Sequence, residues 1–256
     1  MVPEYVDYAE YYDQDHATAA DIPFYLDHAR ECGSPILELA CGTGRVLIPL
    51  AEAGHELHGV DSSENMLAVC RRKVQEMGLS DQVHLTNADM AAFELAQRGF
   101  ALCYVPVRSF MHLFTQEEQL ACLRRAYEHL HPGGRFIVDL YAPDFRLLSQ
   151  QPNGPFAFRK AFDLPNGHHI IRQDRFVRND LAEQVTFCEM RFEEYEEGAL
   201  VRQRTVPTYT RYTFRYELQL LLEHAGFEVQ DWHRDYERNP YDGTGEIIAV
   251  ATRPSG

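Results

Sequence analysis

Basic residues are scarce in this chain. Lys73 and Lys160 are its only lysines, and 24 lysines and arginines face 39 aspartates and glutamates, for a net charge of −15. Binding along a phosphate backbone draws its affinity from lysine and arginine, so DNA and RNA are excluded as expected substrates and a small molecule is favoured. Six cysteines (32, 41, 70, 103, 122 and 188) contain no C-x-x-C pair and sit mostly in apolar segments, which reads as reduced, buried thiols of a cytosolic protein. No segment reaches the roughly 18 apolar residues that span a bilayer. The first residues carry acids and tyrosines where a signal peptide carries lysine or arginine, so a cytoplasmic location without membrane association is expected. Histidines fall in scattered pairs, His168 with His169 and His129 with His131, without a ligand spacing, and no metal is expected. Internal repeats and low-complexity stretches are absent, and the acidic run at 193–197 reads as a solvated turn.

What is present begins with a turn between two apolar runs. Residues 35–40 suit a buried strand, and an apolar helix starts near Val46 and stops at Gly54. Between them, Gly42 and Gly44 lack a Cβ, which lets the chain turn sharply and bring backbone amides close to a ligand. A second strand at 56–60 ends in Asp61, whose carboxylate can accept both hydroxyls of a ribose. A dinucleotide fingerprint requires a third glycine where Leu47 stands. Glu38 adds a carboxylate that would repel a pyrophosphate but suits a cofactor carrying an ammonium and a sulfonium. The pattern therefore favours S-adenosylmethionine (SAM) over a nicotinamide dinucleotide.

Four motifs in order support that choice: Glu38-Leu39-Ala40-Cys41-Gly42-Thr43-Gly44, then Asp61 after the second strand, Asn87-Ala88-Asp89-Met90 after the third, and Leu130-His131-Pro132-Gly133-Gly134-Arg135-Phe136 before the fifth. Together they resemble the class I SAM-dependent methyltransferases over residues 35–142, resuming at 212–253. The resemblance implies that Tyr12 and Asp13 cover the methionine end of the cofactor and that Asp89 meets the adenine amino group. Met66 is expected to pack on the adenine or ribose. Ala40, Ser62, Met90 and Val105, at the ends of the same strands, complete the expected cofactor site. One departure is visible: Ala101 stands in the fourth strand where many relatives carry aspartate, so no acidic base is expected there.

At 256 residues and 45% hydrophobic the chain can bury one full core. Strand signals near 36–40, 56–60, 82–86, 100–105 and 135–140 alternate with helices near 45–53, 63–77 and 116–130, the order of a parallel sheet with helices on both faces. The expected class is α/β, a Rossmann-like seven-stranded methyltransferase sheet carrying an inserted antiparallel β-meander. Residues 1–34, with Tyr5, Tyr8, Tyr11 and Tyr12 near helical spacing, form a helical cover; 35–155 and 212–256 form the SAM-binding core. Residues 156–211 form the insertion, of about four strands, with turn signals at Asn166-Gly167, Asn179-Asp180 and Glu197-Gly198. It is expected to wall the acceptor pocket. Thr213 should cap a helix over 214–224, and two strands near 227–229 and 246–251 should close the sheet. The insertion and the tyrosine-rich cover resemble the branch that methylates small amines and hydroxyls, including aminosugar N-methyltransferases.

Methyl transfer requires alignment, exclusion of water and a destination for a proton. Ligands of an open α/β sheet bind outside the carboxyl ends of its strands, so the loop 105–112 should face the sulfonium. Arg108 could hold an anionic group of the acceptor or brace the loop, His112 could take a proton, and Tyr12 could close over the donor. The reading is a cytosolic enzyme that moves a methyl group from SAM to a nitrogen or oxygen of a small molecule. C-methylation, or a non-catalytic module that binds SAM or S-adenosylhomocysteine, are the alternatives. The identity of the acceptor and the oligomeric state are not encoded in any motif.

Overall fold

The computed structural model describes residues 8–256. Tyr5 and the rest of the stretch from Val2 that the cover was expected to include lie outside the described residues. Seven strands make one sheet: β1 (Ile36–Leu39), β2 (Leu57–Asp61), β3 (Val83–Asn87), β4 (Phe100–Val105), β5 (Leu130–Tyr141), β10 (Glu228–His233) and β11 (Glu246–Thr252), in the spatial order β10-β11-β5-β4-β1-β2-β3. Only β11 runs against its neighbours. Every residue of β1 and β4 is buried, because helices cover both faces of the sheet and continuous apolar strands are what such a position requires.

One layer contains α2 (Ile22–Cys32), α3 (Leu47–Glu52) and α4 (Glu64–Glu76), with Phe24, Leu50 and Leu67 in its core. The other contains α5 (Gln116–His129) and α7 (Arg215–His224), packed through Leu123, Leu218 and Leu222. Local chemistry sets the helix starts. Ser63 accepts the Met66 N–H ahead of α4 at 3.4 Å. Thr115 and Glu118 form a reciprocal capping box at α5, which satisfies two amides that a helix start leaves without partners.

The insertion is a separate four-stranded antiparallel sheet in the order β6-β7-β8-β9, made of β6 (Ala157–Asp163), β7 (His169–Asp180), β8 (Val185–Glu196) and β9 (Ala199–Arg211). It follows the short α6 (Phe145–Leu148). Its inner face packs on α1 (Ala9–Asp15): Tyr8 and Tyr11 join Met190, Phe192 and Val206 in a third apolar cluster. Tyr11 lies nearly parallel on Phe192, 5.0 Å between ring centres and 13° between planes, and its hydroxyl donates to Glu194 Oε2 at 3.0 Å.

Five expectations shift. The acidic run at 193–197 is not a solvated turn: Glu193 to Glu196 end β8, and Glu194 is buried. Among the described residues of 1–34, Tyr8 and α1 belong to the cover and α2 does not, since it buries Phe24, Tyr25 and Ala29 against the main sheet. Strand β5 starts at Leu130 rather than near 135: its pairing with β4 jumps from Phe100↔Leu130 to Leu102↔Arg135, so the His131-Pro132-Gly133-Gly134 motif bulges out within the strand instead of preceding it. Asn179 and Asp180 end β7, and the turn follows at 181–184. Thr213 caps nothing; it is buried and its hydroxyl accepts from Gln119 Nε2 at 3.2 Å, while Phe214 occupies the cap position of α7. Among the described residues no helix is long and apolar enough to cross a membrane.

Candidate active site

The chain order turns back between β1 and β4: β2 and β3 extend the sheet on one side, β4 and β5 on the other. At such a switch point the loops leaving neighbouring strands diverge and open a crevice. A cleft of about 290 Å³ lies there. Its floor comes from the residues just after the strands: Ala40 and Gly42 after β1, Asp61 and Ser62 at β2, Asp89 and Met90 after β3, Arg108 and His112 after β4. Tyr12 and Met66 also line it. The fold thus gathers ten of the fourteen expected site residues around one space.

Asp61 is held by two backbone amides. Gly42 N–H donates to Oδ2 at 2.8 Å and Ser63 N–H to Oδ1 at 2.7 Å. Burial pushes its carboxyl above the usual range, and these two bonds pull against that shift. Each oxygen keeps lone-pair capacity for a further donor, so the carboxylate is aimed and still able to accept a vicinal diol. Gly42 lines the cleft at φ +54°, and a Cβ there would meet no protein atom within 4 Å. The space over it is open for a ligand. Ala40, beside it, has φ +56°, a left-handed conformation uncommon outside glycine. This geometry fits an adenosyl cofactor whose ribose meets Asp61.

Three expected cofactor residues stand behind the lining. Gly44 is required for packing rather than for ligand approach: at φ +82°, a Cβ would meet Cys70 Sγ at 2.7 Å and Ile48 at 2.9 Å. Val105 is wholly buried in β4. Glu38 is also buried, accepting from the Tyr104 hydroxyl at 2.6 Å across the β1–β4 pair, and burial raises its carboxyl to about 8. Burial thus works against the charge expected of it as a partner for an ammonium. Asp13 is likewise turned away. It accepts from Thr43 Oγ1 at 2.6 Å and Lys73 Nζ at 2.8 Å, tying α1 to the glycine turn and to α4, and leaves Tyr12 alone of that pair on the cleft.

The loop after β4 is under backbone strain. Val107 and Arg108 both have φ +59°, which costs on the order of 1–3 kcal/mol per residue and persists only where the surroundings enforce it. Buried Asp139 accepts the Arg108 N–H at 3.0 Å and the Tyr236 hydroxyl. The Arg108 guanidinium is bidentate on Glu246, with Nε 3.1 Å from Oε2 and a second, shorter bond to Oε1, and it stacks 4.3 Å over the Tyr141 ring. Its charge is therefore matched inside the protein. Of its two expected roles, bracing the loop is the one with partners. His112 ends the 3₁₀ turn Ser109–His112, and its Nδ1 lies 3.0 Å from the Tyr209 carbonyl of β9. A carbonyl only accepts, so Nδ1 carries the proton and the neutral ring has its lone pair on Nε2. Burial lowers the His112 pKa, which favours that neutral form.

The opposite wall contains residues the sequence reading missed. His16 lines the cleft next to Tyr8 and Tyr12. Its ring centre is 4.5 Å from that of Tyr12, and its Nε2 is 2.9 Å from the Tyr8 hydroxyl. Tyr8 donates its one proton to Asp15, and Asp15 also meets Arg172 at 2.5 Å and Lys160 at 2.7 Å. Burial lowers His16 to about 4. The spacing of Tyr8, Tyr12 and His16, each four apart on one helical face, was a usable signal. From the insertion, Arg172, Met190, Thr208 and Thr210 reach the same space, and nothing in a strand's alternation shows which cleft its face will meet.

Residues 36–134 match the family model described as a methyltransferase domain. The chain is 32% identical over 124 residues to the dTDP-3-amino-3,6-dideoxy-alpha-D-glucopyranose N,N-dimethyltransferase of Streptomyces fradiae, which covers 48% of this chain and 46% of that protein. The chain spans about half the length of the curated relatives it matches. Among solved structures it resembles the CcbJ methyltransferase of Streptomyces caelestis, with a TM-score of 0.79 and 26% identity over 98% of this chain and 97% of that one. It shares the fold of SAM-bound CalS10, an amino pentose methyltransferase of Micromonospora echinaspora, at a TM-score of 0.69 and 24% identity over 93% and 91% of the two chains.

Proposed function

Because this chain belongs to the class I SAM-dependent methyltransferases, we propose that it transfers a methyl group from SAM to a nitrogen or oxygen of a small molecule, with an amine as the favoured acceptor. The observation that carries this reading is the convergence on one cleft of the aimed Asp61 carboxylate, the open space over Gly42 and the neutral imidazole of His112. SAM supplies an activated methyl group on a sulfonium. The protein's task is then to orient the acceptor, exclude water and hold the proton the acceptor releases.

In this reading Asp61 and Ser62 hold the ribose, Met66, Asp89 and Met90 meet the adenine, and Tyr12 covers the donor. Thr208 and Thr210 of the insertion contact the acceptor, and His112 Nε2 takes its proton. Arg108 keeps the loop in register through Glu246. The preference for an amine draws on the Streptomyces fradiae relative, whose name states an aminosugar N,N-dimethylation. The net charge of −15 supports a small molecule over a nucleic acid, and a cytoplasmic setting accords with an intracellular cofactor.

Calorimetry with S-adenosylhomocysteine, followed by mass-spectrometric screening of small amines and alcohols with SAM, tests the proposal. Wild-type chain is expected to bind S-adenosylhomocysteine and not NAD. Asp61→Ala should lose about 1.5–3 kcal/mol of that affinity, the scale for a hydrogen bond to a charged group. Unchanged affinity in Asp61→Ala would remove the ribose assignment. Methylation at carbon alone would correct the acceptor class.

A further inference from the structure

A second cluster of potential ligands lies at the sheet edge formed by β2 and β3. His58 and His84 are register partners on these parallel strands, so their side chains leave the same face, and their ring centres are 4.7 Å apart. Glu56 is two residues before His58 and shares that face by the period of an extended chain. Its Oε1 lies 3.4 Å from His58 Nε2. One donor atom from each of the three lies within 4.8 Å of the other two.

The fold leaves this corner open. Between β3 and β4 the chain runs from Ala88 to Gly99 without a helix, so no layer covers Glu56 and His84, which are exposed. His58 is held in place: its side chain is only 15% exposed and its ring meets Phe100 edge-on at 5.0 Å.

We propose that Glu56, His58 and His84 form a binding site for a borderline divalent transition-metal ion such as zinc. Two imidazole nitrogens and one carboxylate match the donor preference of zinc, nickel and copper, whereas magnesium and calcium take oxygen ligands. Three protein donors leave the remaining coordination to water. His58 precedes Asp61 by three residues on β2, roughly 10 Å along the strand, and it lies toward the amino end of the strand while the cleft opens at the carboxyl end. The ion would brace the edge strand β3 against β2, apart from the methyl-transfer chemistry.

Titration of chelator-treated full-length chain with zinc chloride tests this, comparing wild type with His84→Gln, Glu56→Gln and the His58→Gln/His84→Gln double variant. Wild type should bind one zinc ion per chain that the double variant does not. His84→Gln should weaken that ion by more than about tenfold, the low end of what losing even an outer partner of a metal ligand costs. Zinc, but not magnesium, should raise the thermal midpoint of wild type and leave that of the double variant unmoved. If the double variant fails to fold, Glu56→Gln decides, because the exposed carboxylate has no packing role: tenfold weaker zinc binding supports the site and unchanged binding overturns it. Wild type binding zinc no more tightly than the histidine variants would also overturn it, whatever the outcome for SAM.

Discussion

Arg108 and Glu246, 138 residues apart, form a two-point ion pair that pins the loop after β4 to the last strand of the sheet. Desolvation opposes the Arg108 charge, and Glu246 with the nearby Tyr236 and Asp139 more than compensates. Removing one partner leaves a largely buried charge unmatched. Glu246→Ala should cost about 2–3 kcal/mol in urea denaturation, less than the full about 3–5 kcal/mol of a buried pair because 23% and 15% of the two side chains remain exposed. Joint replacement by Arg108→Met and Glu246→Leu should cost less than either single truncation. A loss under about 1 kcal/mol for Glu246→Ala would class the pair with surface bridges and leave Arg108 available to an acceptor.

Stability in the absence of cofactor should fall with pH through Glu38. Its folded value of about 8 lies above the 4.5 of the ordinary carboxyl, chiefly through burial. Between those values the fold retains a proton that the unfolded chain would lose, so this contribution is complete below pH 4.5, declines as pH rises and is gone above about 8. Glu38→Gln keeps an acceptor for the Tyr104 hydroxyl and removes the titration. The variant should therefore gain on wild type as pH increases across that window. Parallel stability curves for the two proteins would place the ionised carboxylate in the fold.

Two imidazoles flank the cleft, and their substitutions should separate. With an acceptor in hand, His112→Ala should lower the rate by about 10²-fold, the low end for a general base. The wild-type rate should fall on the acid side with an apparent pKa below 6.5, because burial depresses His112, and this limb should vanish in His112→Ala. His16→Ala should reduce the rate less, since its Nε2 faces the Tyr8 hydroxyl. A larger loss from His16→Ala, taking the acid limb with it, would move the proton acceptor to α1.

Phe192 couples the insertion to α1 through its stack on Tyr11. Phe192→Ala should destabilise by about 3–5 kcal/mol, as for other buried aromatics. It should also lower turnover more than SAM affinity, because it loosens the roof carrying Tyr12 and leaves the Asp61 floor intact. Hydrogen exchange of the α1 amides should quicken in the variant; unchanged exchange would show that α1 is held independently of the sheet below it.

The sequence alone determined what is local. The glycine turn after a buried strand, the acid ending the next strand and the alternation of 3.6- and 2-residue periods are set by neighbours in the chain, and they marked out the sheet, the four-stranded insertion and the Asp61 side of the cleft. The tertiary structure decided what depends on distant partners. Glu38 has the right residue type for a charged wall but faces Tyr104 in the core, where burial raises its carboxyl. Gly44 looks like a ligand contact and is instead required by Cys70 and Ile48. Arg108 is matched by Glu246, and the Glu56, His58 and His84 cluster exists only because β2 and β3 lie side by side in register. No spacing along one chain encodes which buried charge meets which, because strand order and register bring those groups together and burial then sets their protonation.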